Sequence, residues 1–256
     1  MSILDPGTAA RSAHLPCLIL VGGQGTRLRP VISDIPKPMA RVNGRPFLEY
    51  LVRWVRAVGY TRVILCAGYR AAQIQDYFAD GQKFNVDLTY SIEEQPLGTW
   101  GAIRQACEQL EDPAFLVLNG DSWLDADLNK LESVHKKQRS IATFALAEVK
   151  ESSRFGCVEI DSTGRLVSFS EKGRCGSGLI NGGVYIFSRE VLALVPPHAS
   201  SLESEVCPML IPHGVYGLKM QGYFVDIGVP EEYKRLLDCP DPWLRALRLP
   251  AQKDIC

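Results

Sequence analysis

From Leu15 to Leu118 the chain repeats one pattern: a short run of branched apolar residues, a polar loop, then a stretch with apolar residues at helical spacing. Leu15 to Val21 is the first apolar run, and Pro46 to Val58 is the first amphipathic stretch, closed by Gly59. Arg62 to Ala67 reads as a second strand, Ala71 to Phe78 as a helix, and Val86 to Ile92 as a strand of alternating polarity. A helix from Thr99 to Leu110 leads to the strand Ala114 to Leu118. Strands that alternate with helices imply crossover connections, so the expected sheet is mostly parallel, with helices on both faces. Ligands of such sheets bind beyond the carboxyl ends of the strands, which singles out the loops opening at Gly22, Glu93 and Asn119.

Beyond residue 140 the rhythm turns strand-rich: Ile141 to Val149, Gly156 to Asp161, Leu166 to Ser170 and Val184 to Phe187. Glu203 to Leu210 and Glu231 to Leu237 are short helical candidates, and Tyr216 to Ile227 supplies one or two strands. Residues 15–238 read as a single domain, preceded by a disordered leader over 1–14 and followed by a tail, 239–256, whose Trp243, Leu244 and Leu247 can dock as a short helix. No internal repeat is visible, and in particular no run of six-residue β-helix turns.

Composition removes several function classes. A chain of 256 residues that is 46% hydrophobic and 22% charged can bury a full α/β core. Its formal net charge of −1 provides no basic field, so nucleic acid and anionic membranes are not expected partners and phosphate binding has to be local. The eight cysteines form no CxxC pair, which fits reduced thiols in a cytoplasm. The four histidines lie far apart, against a zinc site. The first fourteen residues hold no apolar run, so they read as neither signal peptide nor membrane anchor.

The strongest motif is Gly22-Gly23-Gln24-Gly25-Thr26-Arg27-Leu28 directly after a strand, with Pro36-Lys37-Pro38 downstream. Glycines let backbone N–H groups approach a polyphosphate, Thr26 can donate a hydroxyl, and Arg27 offers a charged fork. Lys37 adds a second cation, and the flanking prolines restrict the backbone that carries it. A dinucleotide fingerprint needs glycine where Leu28 stands, and a Walker loop needs Gly-Lys-Ser/Thr. An ordinary glycine-rich turn with a surface arginine is the plain alternative.

With these residues the chain resembles the sugar-1-phosphate nucleotidylyltransferases, whose hallmark is GGxGTRL followed by a lysine between prolines. The resemblance runs from about residue 16 to 238 and continues in order through Pro96-Leu97-Gly98-Thr99, Asn119-Gly120-Asp121, Glu171-Lys172 and Asp226-Ile227-Gly228. It implies a three-layer Rossmann-like α/β fold with a strand-rich acceptor-binding lobe and, here, no C-terminal β-helix. It also implies that Pro96, Gly98 and Thr99 line a nucleobase pocket with Asn119 and Gly120 beside it. Glu171 would grip sugar hydroxyls and Lys172 the acceptor phosphate, with Gly156, Asn181 and Gly182 against the sugar. Asp121 and Asp226 would share Mg²⁺ with substrate phosphates, as one or two carboxylates commonly do. Arg27, Lys37, Asp121, Lys172 and Asp226 form the implied catalytic set.

The carboxylates Glu93 and Glu94, just upstream of the base pocket, could together accept N1–H and N2–H of guanine, so GTP is the expected donor. Two surface glutamates are the plain alternative. Asp34 to Ala40, Leu179 to Gly183 and Tyr223 to Glu231 look most like the D-glycero-α-D-manno-heptose 1-phosphate guanylyltransferases of polysaccharide synthesis, with mannose 1-phosphate the nearest competing acceptor. Trp100 departs from the family, which commonly has a small residue there. Related short enzymes are often homodimers. From a different class, Asp125-Ala126-Asp127 matches the DxD of nucleotide-sugar-dependent glycosyltransferases, although Asp127 also reads as the N-cap of a helix from Leu128 to Lys137. A catalytically silent nucleotide-binding regulator is a third reading, which the presence of both Lys37 and Asp226 disfavours.

Overall fold

The computed structural model describes residues 14–23, 25, 28, 34–153, 155–170 and 176–248. The elements run β1 (Cys17–Leu20), a small ribbon β2 (Arg41–Val42) and β3 (Arg45–Pro46), α1 (Phe47–Val58), β4 (Arg62–Ala67), α2 (Ala71–Phe78), β5 (Asp87–Ile92), α3 (Gly98–Ala106) and β6 (Ala114–Asn119). There follow β7 (Ser122–Leu124), α4 (Leu128–Gln138), β8 (Ala142–Val149), β9 (Cys157–Ile160), β10 (Leu166–Ser170), β11 (Gly178–Ser188), α5 (Val191–Leu194) and α6 (Cys207–Leu210). β12 (Val215–Met220), β13 (Phe224–Asp226), α7 (Pro230–Asp238) and α8 (Asp241–Ala246) complete the described chain.

α1 forms because Phe47, Leu48, Leu51, Val52 and Val55 recur on one buried face. It stops at Gly59, whose φ of 117° few other residues adopt and whose N–H caps the Arg56 and Val55 carbonyls. β1, β4 and β6 are apolar on both faces because both faces are covered. Ile19, Leu65 and Leu116 enter one core with α1, α2, α4, α7 and α8, while Leu18, Ile64 and Val117 enter a second core with α3, α5 and α6. This is the expected three-layer arrangement. Trp243 of α8 is fully buried, stacked on Phe47 at 5.3 Å and edge-on to Tyr50 at 4.8 Å.

Among the described residues, nine strands form the main sheet, along the path β10-β9-β11-β6-β1-β4-β5 with β8 joined to β11 and β12. β6, β1, β4 and β5 are mutually parallel, as are β8 and β12, whereas β11 is antiparallel to β6, β8 and β9. β11 extends well beyond the expected Val184 to Phe187. Its first residues are glycine-rich and do not read as a strand, but Gly182 leaves room for the Leu124 side chain and the Ala145 carbonyl, and Gly183, at φ 75°, lies where the pairing with β8 shifts register. The short pair β7-β13 sets Asp226 opposite Ser122.

Candidate active site

β1, β4 and β6 end side by side, and the backbone beyond them stays joined. Val21 N–H donates to the Cys66 carbonyl at 2.9 Å, Gly120 N–H to the Leu20 carbonyl at 2.9 Å, and Tyr69 N–H to the Gly22 carbonyl at 3.2 Å. Over these ends opens a cavity of about 610 Å³, within the usual range for a small-molecule site. Of the residues expected from sequence, Gly22, Gly23, Gly25, Lys37, Glu93, Glu94, Pro96, Gly98, Thr99, Asn119, Gly120 and Asp121 line it. Gln24, Thr26, Arg27, Glu171 and Lys172 lie outside the described residues.

Lys37 begins a single 3₁₀ turn, Lys37–Met39, held between Pro36 and Pro38. Its ammonium pairs with Asp121 Oδ2; the lysine side chain is 10% exposed and the aspartate 37%. Asp226 reaches the same corner through the backbone: Ile227 N–H donates to the Asp121 carbonyl at 2.9 Å, next to the Asp226–Ser122 pairing. Asp226 Oδ1 accepts the Gly228 N–H at 2.6 Å. Residues distant in sequence, Lys37, Asp121 and Asp226, thus gather at one corner, where Lys37 and Asp121 line the cavity and Asp226 is beside them but not among the lining residues.

At the other end, Glu93 Oε2 accepts the Leu97 N–H at 3.0 Å, which fixes the turn into α3. A methyl on Gly22 would come within 2.7 Å of Glu93 Oε1, so the glycine loop and this carboxylate are in close approach. Gly98 has φ 76°, and a Cβ there would strike the Ser200 carbonyl. Thr99 Oγ1 accepts the Leu202 N–H at 2.8 Å, and Trp100 N–H donates to the Ser200 carbonyl at 2.8 Å. The Pro96–Thr99 turn is therefore bolted to the 200–202 segment. Trp100 itself points away, fully buried at 6.0 Å from the Phe187 ring.

The strand-rich side contributes Tyr185, Leu202 and Glu203 to the lining. Asn181 Nδ2 donates to the Tyr185 hydroxyl at 2.5 Å and to Glu203 Oε1 at 3.4 Å, while its Oδ1 accepts the Gly183 N–H at 3.0 Å. Burial, reinforced by the Glu203 charge, pushes the Tyr185 phenol well above its usual range. Asn181 thus stands one side chain behind the cavity surface. Gly156 makes room for the Phe169 ring and the Ser170 carbonyl, and Gly182 for Leu124, so both glycines serve close packing here. The sequence reading missed Gly68, Tyr69 and Glu203. Gly68 and Tyr69 follow a strand's carboxyl end and could have been found by the rule that picked Gly22, but nothing local marks Glu203.

Asp127 caps α4, its carboxylate accepting the Lys130 N–H at 2.9 Å, which accounts for the DxD match without a metal. Among the described residues no cluster of three or more His, Cys, Asp or Glu could hold a metal, and no helix is long and apolar enough to cross a membrane.

A largely parallel sheet with its cavity at the strand ends is the arrangement of Rossmann-like nucleotide-binding proteins. Residues 17–237 match the model of the Nucleotidyl transferase family, and the chain belongs to that family of enzymes, as its glycine-rich motif indicated. It is 37% identical over 224 residues to the D-glycero-alpha-D-manno-heptose 1-phosphate guanylyltransferase of Aneurinibacillus thermoaerophilus, covering 86% of this chain and 96% of that protein. It is 38% identical over 227 residues to the mannose-1-phosphate guanylyltransferase of Mycobacterium tuberculosis, covering 87% of this chain and 63% of that longer protein. The crystal structure of HddC from Yersinia pseudotuberculosis complexed with GMP-PN superposes with a TM-score of 0.77 at 35% identity, covering 88% of this chain and 99% of that one.

Proposed function

We propose that the enzyme transfers GMP from GTP to D-glycero-α-D-manno-heptose 1-phosphate, forming GDP-heptose and pyrophosphate with Mg²⁺ in the cytoplasm. The observation that carries this reading is the gathering of Lys37, Asp121 and Asp226 beside a glycine-walled cavity that the first two line. The likeness over nearly the whole length of a heptose 1-phosphate guanylyltransferase selects the acceptor. Mannose 1-phosphate is the second reading, favoured by the similar identity to the mycobacterial protein.

No protein base is needed, because a phosphate monoester with a second pKa near ~6 is already largely deprotonated at neutral pH. The difficulty is bringing two polyanions together and stabilising the departing pyrophosphate, which fixed cations address. In this proposal Arg27 holds the β- and γ-phosphates, Lys37 the α-phosphate and Lys172 the acceptor phosphate. Gly22, Gly23, Gly25 and Gly120 bring backbone close to the nucleotide, and Glu171 and Asn181 orient the sugar. Asp121 and Asp226 offer only hard carboxylate oxygens, a donor set suited to Mg²⁺ that also binds phosphate, and the bound ion would neutralise charge on the phosphates. With one Glu93 oxygen committed to Leu97, Glu93 Oε1 and Glu94 remain to read the guanine edge.

The test is pyrophosphate release over the four NTPs crossed with manno-heptose 1-phosphate and mannose 1-phosphate. The expected maximum is GTP with the heptose. Preference for UTP or CTP overturns the base assignment, faster turnover of mannose 1-phosphate overturns the acceptor, and release that ignores the sugar phosphate overturns the reaction.

A further inference from the structure

We propose that the Lys37 ammonium occupies the divalent-metal position of the free enzyme and gives it up only when the cation arrives together with a nucleotide. This rests on the reading of Asp121 and Asp226 as the metal's carboxylates. The lysine stem lies against Gly25, where an added Cβ would come to 3.0 Å from Lys37 Cβ, and the prolines on either side fix where that stem starts. From there the ammonium reaches Asp121 Oδ2. It also presses on the face of Gly228 where Asp226 Oδ1 lies: a methyl added to that glycine would be 2.6 Å from the carboxylate oxygen and closer still to the ammonium. One nearly buried positive charge therefore pairs with Asp121 and lies within about 5 Å of Asp226 Oδ1, in the corner where an ion bound by both carboxylates would sit.

An ammonium and a divalent ion cannot share that corner, because they repel and compete for the same oxygen lone pairs. A metal ion arriving alone would have to displace the ammonium from Asp121 without bringing it a new counter-anion, and a largely buried charge parted from its partner is costly. A nucleotide removes the obstacle, since its α-phosphate can take the ammonium while its other oxygens bring the metal. The same lysine thus keeps the carboxylates paired before binding and meets the reacting phosphate after it. Metal alone would bind weakly to the free protein, and loading would be coupled to the nucleotide.

The experiment is a Mn²⁺ titration of the full nucleotide-free chain, reading free Mn²⁺ by electron paramagnetic resonance, for the unmodified chain, Lys37→Gln, and Lys37→Gln combined with Asp121→Asn. Lys37→Gln is expected to bind Mn²⁺ at least about tenfold more tightly than the unmodified chain, and the added Asp121→Asn to abolish that gain. Should Lys37→Gln not fold, Lys37→Met is read the same way. A folded lysine variant that binds Mn²⁺ no more tightly than the unmodified chain, or a gain that survives Asp121→Asn, overturns the proposal. The pyrophosphate assay keeps the two readings apart: turnover with no gain in Mn²⁺ binding sinks only the lysine exchange, and an Asp121-dependent gain without turnover sinks only the reaction.

Discussion

The wall of the cavity built by the ends of β1, β4 and β6 is mostly backbone: Gly22, Gly23, Gly25, Gly68 and Gly120 leave main chain facing the space, with Lys37 and Asp121 at one corner. The opposite wall, from β11 and the segment after α5, is side chain: Tyr185 and Glu203 face the space, and Asn181 holds both from behind. Backbone recognises what all nucleotides share, and side chains can be exchanged without moving the sheet. Under the proposed function, the first wall would take the common chemistry and the second the choice of acceptor.

Substitutions at the two walls should accordingly fail in different ways. The largest effect is expected at the charged corner, where Asp226→Ala should lower kcat at least ~100-fold, in line with losses of preorganised charge stabilisation. Near-normal turnover in a folded Asp226→Ala protein breaks the assignment. At the turn into α3, which the Ser200–Leu202 segment fastens, Gly98→Ala combines a strained φ of 76° with a collision against the Ser200 carbonyl. It should raise KM for the nucleotide about tenfold, equivalent to about 1.4 kcal/mol, and steady-state kinetics in both substrates would show whether the acceptor KM moves with it. On the side-chain wall, Asn181→Ala should raise KM for the sugar phosphate roughly fivefold and leave the nucleotide KM alone, as the loss of a modest hydrogen bond predicts. Equal changes in both constants would erase the distinction between the walls.

The smallest effect belongs to a group that only fastens the second half. His135 on α4 hydrogen-bonds Thr143 Oγ1 at 2.9 Å and Ser188 Oγ at 3.2 Å, and burial lowers its pKa to about 4. Because the unfolded chain takes up this proton below about 6.5 and the folded chain does not, the stability it lends is present at neutral pH and is lost as pH falls towards about 4. Unfolding free energy should fall by about 1 kcal/mol from this group between pH 7 and 5.5, with kcat at neutral pH unaffected in His135→Gln. Denaturant titrations of both proteins at the two pH values check this, and an equal pH dependence would refute it.

The first half was legible because each of its signals is local. Arg62 to Ala67 and Ala71 to Phe78 were bounded to the residue, and the helix ahead of Gly59 ended where the glycine demanded. Of the site residues read from Gly22 to Asp121, the rule about strand ends singled out the loops at Gly22, Glu93 and Asn119, and the glycine-rich motif and the family resemblance supplied the rest. The second half was harder, since the start of β11 is glycine-rich, and its strand character comes from partners on β8 and β9 that sequence does not display. β7 escaped for the same reason: Ser122 to Leu124 continues a strand-end turn, and only β13 makes it a strand. Glu203 is a residue of ordinary surroundings until the contacts of Ser200 and Leu202 with the Pro96–Thr99 turn carry it to the rim.

β11 pairs with β6 of the nucleotide wall, with β8 and with β9, so a single strand is stitched into both halves of the molecule. Such continuity ties the described parts of both halves to one strand. Any shift of that strand is therefore shared by the β6 and β8 ends that it holds.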